Sequence, residues 1–448
     1  MKKVIQSCLL VLLSIVFFTV GSKSHASEKP VTVNRFLLQL YSDKKEEAIP
    51  IKNASVKIMY YDADGKRHTV REGVSSDDIG EIKNVTVNMP EEIKRIYFQF
   101  GLTNSEVGSL VNSKGGIYYP IVSILIPENR QIDHTETRFI MNRGDESTKE
   151  FNYQFIKVWN LYQAMAKEMK ENVKTALDTF PELKANFDFE FKPIPVMYEH
   201  NYQYKGNSGA FFKSKSEGIG VITKDTPFIH IPHPESLNDK TRAQQEENFN
   251  VNLSHEWAHW TMYQALGSLD GGGYSSHSGY NNNIKTSYKE GWALFHANRY
   301  PYGYSWNWRL DNSMQTSETI ESKNGRLEKC YGKSTNRTVN SVLRDIYDRE
   351  SKDIKLKEIE PEDQYDIAKD WKPDVVSGDQ EFRKKLSTGL MFIAMVNSKA
   401  TTLEEYVTYM KENEFVKDKI RFDIIMVLNG VDHLGRFILD KDGNRINY

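Results

Sequence analysis

His255, Glu256 and His259, in "NLSHEWAHWTMYQAL" over residues 252 to 266, make an HExxH. On a helix, residues four apart share one face, one turn apart. Two imidazoles so placed reach one zinc ion at about 2.0–2.1 Å. Glu256 follows the first imidazole, so its carboxylate can reach water beside the metal without ligating the metal itself. That is the position of a general base, which takes a proton from water acidified by zinc. The same letters also fit a partly exposed amphipathic helix that holds nothing, so the motif needs a third ligand and a scaffold.

Catalytic zinc takes three protein ligands and keeps one position open. The longer motif that supplies its third ligand from the same stretch is excluded, because Met262 and Ala265 stand where it needs glycine and histidine. Glu290, in "SYKEGWALFHA", begins a second predicted helix downstream. The glycine-rich "GSLDGGGYSSHSGYNNN" between them lets that helix fold back across the first. His277, within this loop, is the rival ligand or an ordinary surface histidine. His296 reads as structural. His230 and His233, in "PFIHIPHP", read as strand-face residues, and Trp257 and Trp260 as packing of the motif helix.

These residues need elements to position them. Residues 241 to 267 are predicted to form the motif helix. Ahead of it, "TKEFNYQFIKVWNLYQAMAKEMKENVKTALDTFP" places Phe155, Val158, Trp159, Tyr162, Met165 and Met169 at three- and four-residue steps, a long amphipathic helix starting at Ser147 or Thr148 and ending near Phe180-Pro181. Strands are expected at 187 to 199, 208 to 214 and 220 to 232. Residues 336 to 430 read as largely helical, with a capping box at Thr402 and Glu405 and a stop at Gly430.

Residues 31 to about 142 read as β: some six short runs rich in β-branched and aromatic residues, divided by turns at 62–65, 78–80 and 113–116. That spacing predicts an antiparallel β-sandwich. The DxDG turns at Asp62 and Asp440 lack the acid that a calcium loop carries at position 12. They read as hairpin turns.

The chain begins "MKKVIQSCLLVLLSIVFFTVGSKSHASEKP". A basic start, an apolar run over Leu9 to Val20 and a small-x-small site at Ser24-His25-Ala26 read as a signal peptide over 1–26. An uncleaved anchor is the alternative. No later run is long and apolar enough to span a membrane, so the mature chain is expected to be soluble. Without Lys2, Lys3 and Lys23 the formal charge of −2 becomes −5, too mild to expect a nucleic-acid partner. Of the two cysteines, Cys8 leaves with the leader and Cys330 has no mate. An exported chain without an internal disulfide points to a bacterial surface or culture medium.

"HEWAHW…EGWALFHA" resembles the gluzincin zinc metallopeptidases, and "NRTVNSVLRDIYD", 336 to 348, is similar to the segment following EGWA in a group of secreted gluzincins. The resemblance covers about residues 150 to 350. It implies that His255, His259 and Glu290 hold zinc and that Glu256 is the general base. Together with the β pattern of the N-terminal part it gives a multidomain chain: a β-sandwich accessory domain over 27–143, then, by the resemblance, an α+β zincin-like catalytic domain. The upper catalytic subdomain is 144–267 and the mainly helical lower one 268–448. "IKNASVKIMYYDADGK…SSDDIGEIKNVTVNMP" resembles the transthyretin-like, carboxypeptidase-regulatory-like modules found beside secreted peptidases. "NSGAFF", 207 to 212, resembles the edge strand against which zincins bind peptides, which makes Gly209 and Ala210 candidate substrate-binding residues. Some gluzincins carry an aspartate four residues after the ligand glutamate. Here that position is Leu294, and Asp345 or Asp348 is the candidate replacement. Tyr331, Tyr347 and His433 are candidate electrophiles.

The expected function is a secreted, zinc-dependent peptidase, an endopeptidase by the lack of an amine-binding motif, acting on a peptide or protein substrate. Two alternatives stay open: a secreted or cell-surface binding protein on an inactive zincin-like scaffold, and a zinc hydrolase of non-peptide amides.

Overall fold

The computed structural model describes residues 27–41, 48–139, 146–200, 209–233, 239–269, 279–299, 320–323, 326–329, 332–347, 367 and 380–448. The expected signal peptide, His277, Cys330, Tyr331 and Asp348 lie outside them. The chain is a mixed α+β protein that divides into two compact units: Met1–Gly101 with Tyr119–Tyr153, and Leu102–Tyr118 with Gln154–Tyr448.

The first unit is built of strands β1 (Glu28–Tyr41), β2 (Ile49–Pro50), β3 (Ser55–Tyr61), β4 (Arg67–Ser75), β5 (Glu81–Pro90) and β6 (Arg95–Gly101). After β7 (Thr103–Asn104) and β8 (Gly108–Val111), which belong to the second unit, come β9 (Ile121–Leu125) and β10 (Gln131–Phe139). β1 pairs with β10, β2 and β5, and a second sheet runs β4-β3-β6-β9. A bulge between Val33 and Arg35 interrupts β1. It shifts the inward side from the odd positions Val31 and Val33 to the even positions Phe36, Leu38 and Leu40, which are all buried. Phe36 then stacks on Phe98 of the other sheet, with centroids 4.2 Å apart.

The expected antiparallel pairing is corrected at one pair of strands. β1 and β10 run parallel, with Thr32 opposite Gln131. The direction of a strand that closes a sheet from so far along the chain is set by how it crosses between sheets, and no local turn signals it.

The turns follow one device. Asp62, Asp77, Asn112, Asp432 and Asp440 each accept, on Oδ1, hydrogen bonds from the backbone N–H groups two and four residues on. In every case the residue three positions on is a glycine at positive φ. At the two DxDG turns the aspartate is thus satisfied by its own loop, as a hairpin turn requires.

The second unit has a sheet of order β12-β13-β11-β8-β7, with β11 (Ile194–His200), β12 (Phe211–Lys213) and β13 (Phe228–His233). β11 is parallel to both β8 and β13, and β12 is antiparallel to β13 at the edge. Residues 102–118, which the sequence reading places in the sandwich, thus complete this sheet. Gly108 permits it: at φ 133°, a Cβ there would fall 2.1 Å from the Ile194 carbonyl oxygen. The strands expected at 187–199 and 220–232 are shorter, because Pro193 cannot donate to a ladder and Asp225 turns the chain at φ 63°. A short β14–β15 hairpin (Ile320–Lys323, Arg326–Lys329) lies among the later helices.

Seven α-helices are described: α1 (Glu146–Thr179), which enters the second unit at Gln154, and, within that unit, α2 (Asp239–Leu266), α3 (Ile284–Arg299), α4 (Asn336–Tyr347), α5 (Gln380–Ser398), α6 (Leu403–Glu412) and α7 (Lys419–Leu428). The six apolar residues spaced along α1 are all buried. α6 opens with the Thr402–Glu405 capping box. Among the described residues, no helix is long and apolar enough to cross a membrane.

α3 packs closely on α4 at Gly291. A Cβ on Gly291 would lie 2.4 Å from Val339 Cβ and 2.9 Å from the Asn336 carbonyl oxygen. Ahead of that contact, Asn281 donates to Ser287 Oγ, and Ser287 meets Ser334 Oγ at 2.9 Å. Gly291→Ala gains helix propensity of about 1 kcal/mol, yet overpacking is expected to dominate and to lower stability by about 1–3 kcal/mol. Urea unfolding checks this, and a stabilised variant would show that the two helices part freely.

Candidate metal centre

α2 carries His255 and His259 one turn apart, and α3 brings Glu290 against them. His255 Nε2 and His259 Nε2 are 3.1 Å apart, and each lies 3.2 Å from Oε2 of Glu290. In a tetrahedral zinc site with bonds of about 2.0–2.1 Å, neighbouring ligand atoms are about 3.3–3.4 Å apart. The triangle here has nearly those edges, and two imidazole nitrogens with one carboxylate oxygen are a donor set that zinc accepts. The residues present therefore fit such an ion. His255, His259 and Glu290 are also the one group of histidine, cysteine or acidic side chains among the described residues with the proximity to hold a metal.

The electrostatics show how tightly these groups are gathered. Burial pushes the His255 imidazole down, but its hydrogen bond to Glu290 and the charges of Glu256 and Glu290 outweigh that, so it stands above its ordinary value. Burial pushes Glu290 up. The charge of His259 and hydrogen bonds from both imidazoles outweigh this and hold its carboxyl well below the ordinary range. Glu256 is itself buried, and its charge is felt at His255, so the two side chains share one environment.

A pH dependence follows for the metal-free protein. His255, raised, contributes stability in full below its ordinary value of 6.5 and loses that contribution as pH rises through its folded value. Glu290, lowered, contributes above its ordinary value of 4.5 and loses the contribution as pH falls through its folded value. The chelated protein is therefore expected to melt lower at about pH 8 than at about pH 6. A zinc ion held by these residues would reverse the trend, because they must give up their protons to bind it. Thermal unfolding with chelator and with zinc, at both pH values, measures the two slopes. Equal slopes would contradict this electrostatic picture.

The neighbours of α2 define its surroundings. Trp257 stacks on Phe191 at 6.1 Å, and Trp260 Nε1 donates to the Lys192 carbonyl at 3.2 Å. Phe212 of edge strand β12 packs against Trp260 and Tyr263. Gly209 and Ala210 directly precede that strand, and the Gly209 carbonyl lies 3.2 Å from His230 Nδ1. His230 is buried against Phe211, and its burial pushes its pKa down. His233 ends β13.

Asp345 is buried on α4 and accepts a 2.6 Å hydrogen bond from Asn429. His259 Nδ1 has no hydrogen-bond partner among the described residues, so Asp345 does not orient His259 through that nitrogen. Leu294 offers no carboxylate there. His296 is buried against Trp292 and Phe295, and Tyr347 against Phe295. His433 is exposed, and its carbonyl accepts from Lys411. Sequence reasoning passes over Lys289, whose Nζ lies 3.6 Å from Glu290 Oε1. Its one signal is its place beside Glu290.

No protein-family profile and no curated protein matches the chain. Among solved structures, a 9R-lipoxygenase from Cyanothece PCC8801 matches at 14% identity and a TM-score of 0.16, over 40% of this chain and 30% of that one. The chain thus spans under a third of that structure's length, and so low a score carries no argument about fold or activity.

Proposed function

We propose that the chain is a secreted zinc-dependent peptidase of gluzincin type, bacterial in origin, with a zincin-like catalytic domain and an N-terminal transthyretin-like accessory domain. The observation that carries the reading is the triangle of His255, His259 and Glu290, with Glu256 buried beside it.

In the proposed mechanism, His255 and His259 supply imidazole nitrogens and Glu290 a carboxylate oxygen to the metal. When bound, zinc supplies a Lewis acid that polarises water and the scissile carbonyl. Glu256 takes a proton from the attacking water as its oxygen bonds to the carbonyl carbon. It then delivers that proton to the departing amine nitrogen as the C–N bond breaks. β12, at the open edge of its sheet and packed on α2, is suited to hold an extended peptide by backbone hydrogen bonds, with Gly209 and Ala210 at its start. A glutamate in Glu256's place argues for catalysis over a structural site, which has no use for a base.

Digestion of a peptide library by the mature chain tests this. Chelator-sensitive cleavage at recurring bonds is the expected result. A zinc-loaded protein that cleaves no peptide would favour the binding protein, or the hydrolase of other amides.

A further inference from the structure

The two oxygens of Glu290 face different groups. Oε2 is shared by both imidazoles at 3.2 Å, while Oε1 lies 3.6 Å from Lys289 Nζ. The Lys289 side chain is only 12% exposed. An ammonium removed from water is unfavourable without a counter-charge, and among the described residues Glu290 is its one ionic partner. The charge of Lys289 is also felt at His255, where it opposes protonation of the ring.

A carboxylate beside a divalent ion can bind through one oxygen or through both. Binding through both would take up the position that a catalytic site keeps for water and substrate. We propose that Lys289 is a positioning residue that holds Oε1 of Glu290 away from the metal, so that Glu290 ligates through Oε2 alone and the fourth position stays open. The inference rests on the metal-site reading above and goes beyond it. The lysine is given a role in setting coordination number, which a solvated helix lysine does not have.

The test compares the wild-type mature chain with Lys289→Met, Lys289→Gln and Lys289→Arg. Zinc affinity is read by competition with a chromophoric chelator. Coordination is read from the visible absorption of the cobalt(II)-substituted proteins, which weakens as the coordination number rises. K289M and K289Q are expected to show weaker cobalt bands, because the freed Oε1 joins the ligand set, and to bind zinc at least as tightly as the wild type, and K289R is expected to restore the wild-type bands. Wild-type cobalt bands in K289M and K289Q, or weaker zinc binding by both, would overturn the role of Lys289 and leave the metal site standing. A wild-type chain that binds neither metal would overturn the metal-site reading itself.

Discussion

Replacing Glu256 by glutamine is expected to leave zinc bound and to lower peptide hydrolysis by about 10²–10⁴-fold, the range for loss of a positioned general base. Glutamine keeps the size of the side chain but cannot take up a proton at neutral pH. Glu256 is not a corner of the ligand triangle, so metal content is expected to be unchanged. The separation is diagnostic. A parallel loss of zinc and activity would make Glu256 a structural residue, and full activity would remove it from the mechanism. Steady-state kinetics on a cleaved peptide, with zinc measured on the same samples, decides between these outcomes.

Zinc is also expected to stabilise the second unit, since a ligand bound by the folded state alone adds free energy to folding. At a free zinc concentration about a thousandfold above the dissociation constant, linkage gives about 4.1 kcal/mol. The candidate ligands come from α2 and α3, so an ion held by them would tie together two helices that a glycine-rich stretch of sequence separates. His259→Ala is expected to abolish this zinc-dependent increment and to leave Glu290 buried with one imidazole fewer beside it. Unfolding followed with zinc and with chelator measures the effect in both proteins. An equal increment in His259→Ala would place the metal elsewhere.

The legible part of the site was the part fixed by helical period. His255 and His259 had to share a face once residues 241 to 267 were read as a helix, and Glu256 had to sit beside them. Glu290 stood out as a glutamate on the next predicted helix and became the third ligand by the resemblance of its motif, because a contact between separate helices has no local signature. Four of the five Asx-anchored turns were equally plain, since aspartate or asparagine three residues before glycine is a local instruction; the turn at Asp432 was not among them.

What the sequence hid was pairing at long range. The parallel match of β1 with β10 and the transfer of residues 102–118 to the second unit's sheet depend on strands far apart in the chain. The bulge in β1 and the glycine at 108 make sense only once the partner strand is known. Lys289 was passed over because a lysine next to a glutamate on a helix ordinarily reads as a solvated face.

The central claim is that His255, His259 and Glu290 hold one zinc ion. Elemental mass spectrometry of the purified mature chain, with Glu290→Ala prepared in parallel, tests it most directly. The account predicts about one zinc per wild-type chain and far less in the variant. Equal zinc in both would remove Glu290 from the ligand set, and no zinc in either after reconstitution would contradict the claim altogether.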